Sequence, residues 1–109
     1  MSQENQTVAD VILSQLGGRR FVVMTGAKHL FSDNGGQALV FQLPARFAKD
    51  GINAVKITLD PTDTYSVEFK KIGTARNGYK CTVVKAFEGV YNDQLRPIFE
   101  STTGLYTKF

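Results

Sequence analysis

His29, the single histidine, stands three residues before Ser32 and four before Asp33, the residue types of a base, a nucleophile and an orienting acid. Nucleophilic catalysis needs those three groups to converge on one reacting atom. Within a β-run successive side chains leave opposite faces, so Ser32 and Asp33 would point apart. The trio is therefore expected to be a polar cluster of an exposed hairpin. One histidine also excludes a two-histidine metal face. Asp60 and Asp63 flank Pro61-Thr62 and could share a hard cation, but acids in turns accept hydrogen bonds from the turn's own amides, and that is their expected role. Cys81 is the only cysteine, which excludes an intrachain disulfide and a thiolate cluster and suits a reducing compartment. It is expected as a small buried hydrophobe of a strand. Met24-Thr25-Gly26-Ala27-Lys28 has the look of a phosphate loop without its Gly-x-x-x-x-Gly-Lys-Ser/Thr pattern, so it is expected as a strand end or bulge. No catalytic, metal or cofactor residue is assigned, and the reading is of a protein that is not an enzyme.

Binding residues stand out more clearly. Lysines and arginines number 13 against 10 acids, a formal charge of +3 that permits contact with a polyanion without requiring it. Lys70, Lys71, Arg76 and Lys80 bracket Asn77-Gly78, a hairpin signal, and would make a cationic finger able to reach phosphates. Lysines at strand tips also discourage edge-to-edge aggregation, the alternative role of the same residues. Lys56 and Lys85 are expected close by in neighbouring strands. Tyr91, Tyr106 and Phe109, with Leu105, form a terminal aromatic cluster that either seals the edge of the core or anchors a protein partner.

The elements that must position these residues follow from hydrophobic periodicity. The 109 residues suffice for one compact domain, 1–109, with residues 1–6 expected to be flexible. A composition of 42% hydrophobic, 11% aromatic and 21% charged residues is globular. No apolar run approaches the ~20 residues of a spanning helix, and the polar start lacks the pattern of a secretion signal, so no membrane association and a cytoplasmic location are expected. Val8, Val11, Ile12 and Leu16 recur at helical spacing behind a Thr7 cap, and Gly17-Gly18 ends that helix. Residues 21–25, Phe-Val-Val-Met-Thr, favour a strand. A short segment, 29–32, leads to the hairpin residues Asp33-Asn34-Gly35-Gly36.

Strands are expected over 37–43, around Val55, Ile57 and Leu59, around Val67 and Phe69, and over 79–87. Residues 45–53 read as a longer connection with Phe47 tucked inward, and Asp60-Pro61-Thr62-Asp63 as a turn with proline at its favoured second position. Leu95, Ile98 and Phe99 mark a last helix, capped by Asn92 or Asp93, closed by Gly104, and short or kinked because of Pro97. No internal repeat is evident. Connections too short for crossovers make the sheet antiparallel. The expected architecture is α+β: an antiparallel meander of five to six strands with an N-terminal and a C-terminal helix packed on one face.

Three blocks resemble a family of small proteins encoded by phages and prophages. They are Ile12-Leu13-Ser14-Gln15-Leu16-Gly17-Gly18 through Phe21 to Met24-Thr25-Gly26-Ala27-Lys28; Val55-Lys56-Ile57-Thr58-Leu59 through Asp63-Thr64-Tyr65 to Glu68-Phe69; and Tyr91-Asn92-Asp93-Gln94-Leu95 through Phe99-Glu100 to Thr103-Gly104-Leu105-Tyr106. The resemblance covers most of the chain except the loop near Arg46. It implies a phage setting inside a bacterial host and brings no activity or site residue with it. Small phage accessory proteins without a catalytic constellation act by stoichiometric binding. The expected partner is a host or phage protein, for example a defence factor that is inhibited or modulated, with a nucleic acid as the alternative.

Overall fold

The computed structural model describes residues 8–33, 37–44, 49–73, 78 and 80–105. In chain order they form α1 (Val8–Leu16), α2 (Arg19–Thr25), β1 (Lys28–Asp33), β2 (Ala38–Gln42), β3 (Ala54–Leu59), β4 (Tyr65–Ile72), β5 (Cys81–Val90) and α3 (Leu95–Thr103). The strands make one antiparallel sheet in the order β1-β2-β3-β4-β5, the expected α+β meander with five strands. Register puts Leu39 opposite Ile57, Phe41 opposite Val55, Ile57 opposite Val67 and Val55 opposite Phe69. Their common face packs on Ile12 and Leu16 of α1, Phe21 of α2, and Leu95 and Phe99 of α3. The helices therefore cover one face and leave the other open.

Residues 21–25 correct the sequence expectation: they are helical, within Arg19–Thr25. A strand would bury Phe21, Val23 and Thr25 together, whereas Phe21 and Thr25 are fully buried and Val23 is 64% exposed, the spacing of a helix. Two valines and a threonine oppose helix by roughly 0.5 kcal/mol each relative to alanine. Burying one phenylalanine side chain contributes about 1.5–3 kcal/mol, and a satisfied helix end adds to that, so packing outweighs propensity.

That helix end is built from Thr25. Its hydroxyl donates to the Phe21 carbonyl (2.7 Å) and accepts from the Ala27 N–H (3.2 Å). Gly26 follows at φ 73°, and a Cβ there would stand 2.8 Å from Pro44 Cγ, so the residue must lack one. The end of α3 is the same device. Thr103 Oγ1 donates to the Phe99 carbonyl (2.7 Å), the Leu105 N–H donates back to it (3.2 Å), and Gly104 closes the helix at φ 77°. The chain thus carries Phe-x-x-x-Thr-Gly twice, a short helix-ending motif rather than a repeated unit.

Other boundaries moved for local reasons. The 29–32 segment is part of β1, a strand whose register shifts between Lys28 and Phe31. His29 there takes φ 55°, and the resulting bulge obscures any alternation in the sequence. β5 extends to Val90, beyond the expected 79–87. An Asn92–Gln94 3₁₀ turn, rather than a cap by Asn92 or Asp93, leads into α3, where Pro97 sits in the first turn and removes no intrahelical hydrogen bond. Asp60 and Asp63 make the expected turn, with the Asp63 N–H donating to the Asp60 carbonyl (3.0 Å), although the Asp60 carboxylate takes the Ser66 hydroxyl (2.6 Å). Cys81 is exposed rather than buried, because β5 is an edge strand. Thr7, the 34–36 turn residues, Arg46, Phe47 and residues 1–6 lie outside the described residues.

Two outcomes follow. Thr25→Val or Thr103→Val keeps the shape but orphans a buried N–H, and each is expected to lower stability by about 1–3 kcal/mol in urea unfolding, with Ser restoring most of it. Burial, with the Asp63 carboxylate adding, raises the pKa of Tyr65 above the usual phenol value of 10.0. The folded state holds that proton more tightly than the unfolded one, so this contribution is complete below pH 10 and is lost as pH rises through the folded pKa. Tyr65→Phe is expected to leave stability at pH 7 nearly unchanged and to shift alkaline unfolding, followed by circular dichroism, upward in pH.

Candidate functional site

Adjacent lysines on a strand are divided by the pleat, and this reorganises the cationic finger. Lys70 pairs in register with Ala54 and Val83 on the open face, and its Nζ lies 3.5 Å from Glu68 Oε1. Lys71 points the other way. It stands opposite Thr82, and the neighbouring pair is tied by the Gly73 N–H donating to the Lys80 carbonyl (2.8 Å). Lys71, Gly73, Lys80 and Thr82 line one shallow depression at the end of the β4–β5 ribbon. The structure brings Lys71 and Lys80 to one depression with Thr82, and separates Lys70 from it. Arg76 lies outside the described residues.

Lys56 and Lys85 are not neighbours either. Lys56 faces Glu68 across the open side and lies 3.3 Å from Asp33, while Lys85 stands opposite Phe69 on the far side of β4.

The strand end carrying Lys71 is held by Asn53. Its side-chain amide donates to the Ile72 carbonyl (3.0 Å) and its carbonyl oxygen accepts the Ile72 N–H (2.8 Å), so a side chain substitutes for a rung of sheet. The Lys71 stem also lies against Gly51, where a Cβ would stand 3.2 Å from its Cδ. Both contacts fix where the ammonium group emerges.

Of the aromatic cluster, Tyr91 is 61% exposed, while Leu105 is buried and Tyr106 and Phe109 lie outside the described residues. The Tyr91 backbone is tied at both ends: its N–H donates to Gln94 Oε1 (3.0 Å) and its carbonyl accepts the Gln94 N–H (2.9 Å). The side chain rises, mostly exposed, from this tied backbone. Immediately after it runs a groove between α1 and α3, lined by Gln15, Asn92, Asp93, Arg96, Pro97 and Glu100.

A second groove was invisible in the sequence, since it needs the helix and the edge strand together. It lies between α1 and β1, lined by Ala9, Asp10, Leu13, Leu30, Phe31, Ser32 and Leu39. Phe31, 53% exposed, pairs with Val40, which puts its side chain toward the open side of the sheet. Ser32 pairs with Leu39 and Asp33 with Ala38, so those two side chains leave opposite faces and do not converge with His29.

Among the described residues no three His, Cys, Asp or Glu side chains are grouped to hold a metal ion, and no helix is long and apolar enough to cross a membrane. Comparison with protein-family models, curated proteins and solved structures finds no match.

A polyanion held at the β4–β5 ribbon depends on Lys71 and Lys80 and not on Lys70. In duplex titrations at several salt concentrations, Lys71→Ala with Lys80→Ala is expected to lower the salt slope of binding by about 1.8, while Lys70→Ala leaves it unchanged.

Proposed function

We propose that this protein acts by stoichiometric binding of a protein partner, as a phage-type accessory protein working in the cytoplasm of a bacterial host. One observation carries the reading: Tyr91 presents a 61% exposed ring on a backbone pinned by Gln94, next in the chain to Asn92, which lines a groove with Arg96 and Pro97. Tyrosine and arginine are the side chains that most often dominate binding at protein interfaces. A ring carried on a fixed backbone loses less conformational freedom when a partner covers it than one on a mobile loop. The groove is open and has no buried acid–base pair, which suits occupation of a surface better than turnover of a small molecule.

Nucleic acid is the second reading, supported by the Lys71, Lys80 and Thr82 arrangement. It is weaker, because among the described residues that arrangement brings two lysines together rather than the four-cation finger expected from the sequence. Affinity capture from host lysate with and without nuclease separates the two. The expected result is a partner retained after nuclease at one-to-one stoichiometry and lost by about tenfold or more with Tyr91→Ala, which leaves the main-chain cap in place. Release of all bound material by nuclease would favour the second reading, and full effect far below equivalence with the partner would reveal turnover.

A further inference from the structure

We propose that a second copy of this chain pairs antiparallel with the outer edge of β1, centred on Phe31, so that the two sheets continue as one. β1 is an edge strand, and no described segment pairs with its outer side. The direction of its main-chain groups follows from the next strands. The Leu43 N–H donates to the Asn53 carbonyl and the Leu59 N–H to the Gln37 carbonyl. With Leu39 opposite Ile57 and Phe41 opposite Val55, the odd residues of β2 bond to β3, and Ala38 and Val40 bond toward β1. Their partners are Asp33 and Phe31. The N–H and C=O groups of Leu30 and Ser32 therefore face outward.

The His29 bulge ends the regular edge at Leu30, so the available edge is short and its register is restricted. An antiparallel copy that sets Leu30 against Ser32 of its mate makes the same pair of bonds twice about a twofold axis normal to the sheet. Phe31 then lies opposite itself, on the open side, as a non-hydrogen-bonded pair with the closest side-chain spacing a sheet offers. Leu30 of each copy comes beside Ser32 of the other, at the rim of the groove lined by Ala9 and Leu13, and extends its apolar lining. α1 packs over β2 rather than over β1.

Charge selects the same arrangement. β1 begins with Lys28 and ends with Asp33, which keeps its ion pair with Lys56, so antiparallel self-pairing turns the lysine end of each strand toward the acidic end of the other. A parallel addition would align like with like. Sliding by one residue would send Phe31 to the helix side of the partner strand. The exposed aromatic, the groove and the polarity of the strand all match a second copy of the same strand.

This pairing is independent of the Tyr91 groove, and the tests keep the two apart. Sedimentation from micromolar to millimolar protein is expected to show a monomer–dimer equilibrium that weakens with salt. Phe31→Lys is expected to weaken it by about tenfold or more with unchanged thermal unfolding and unchanged capture of a partner through Tyr91. In a Cys81→Ser background, Phe31→Cys is expected to form an interchain disulfide under mild oxidation. Ser32→Cys, displaced from its symmetry mate, forms it at least about tenfold more slowly. A monomer at millimolar protein overturns the proposal. So does a dimer indifferent to Phe31→Lys, or Phe31→Cys oxidising no faster than Ser32→Cys.

Discussion

Phe99 of α3 touches Phe21 of α2 edge-on with centroids 5.1 Å apart, and tilts against Phe41 of β2 and Phe69 of β4 at 6.2 and 6.3 Å. Phe21 also meets Phe41 edge-on at 5.2 Å. Elements distant in sequence thus converge on one aromatic knot. Each such pair adds about 0.5–1.5 kcal/mol to ordinary burial, so the knot is a substantial part of the stability available to a domain of this size. Its geometry depends on the threonine caps: Phe21 and Phe99 are the residues whose carbonyls Thr25 and Thr103 bind, one turn before each helix ends. The caps fix how each helix stops, and so where each ring is delivered.

The proposed binding surfaces are placed relative to that knot. Because the helices occupy one face of the sheet, the chemistry open to partners lies at the margins: the β1 edge, the end of the β4–β5 ribbon, and the junction where β5 turns into α3. Each margin is stiffened by a local device instead of by the core. Asn53 replaces a rung of sheet beside Lys71, Gln94 pins Tyr91, and the His29 bulge terminates the free edge of β1. Rigid margins lose little entropy on contact, which favours recognition by preformed surfaces.

The central strands were legible in the sequence because β2, β3 and β4 have one buried and one open face, and Leu39, Phe41, Val55, Ile57, Val67 and Phe69 record that as period two. α2 was not legible, since Phe-Val-Val-Met-Thr carries strand propensity and only the environment around Phe21 and Thr25 reverses it. The signal that could have found it is the repeated Phe-x-x-x-Thr-Gly, which ends a helix at both places. The cationic finger failed for a different reason: Lys70 and Lys71 are neighbours along the chain, and the pleat makes neighbours opposite. Tyr91 was legible as one of a terminal aromatic cluster, with sealing the core edge or anchoring a partner left open, whereas the α1–β1 groove joins residues some twenty positions apart and leaves no local trace.

The two exposed aromatics illustrate how one fold keeps distinct surfaces from interfering. Phe31 lies on an edge strand with unused main-chain groups, so a partner there must bring a strand, and a strand with matching polarity is already present in every copy of the chain. Tyr91 follows the opposite edge strand, at a point where the backbone has turned into a 3₁₀ segment and its polar groups are satisfied by Gln94. A partner there has no ladder to extend and must dock through side chains. With β1 and β5 at opposite edges of the sheet, association through one leaves the other accessible. Self-association would therefore present two Tyr91 grooves on one assembly, and a partner with two linked sites would gain avidity without any new contact.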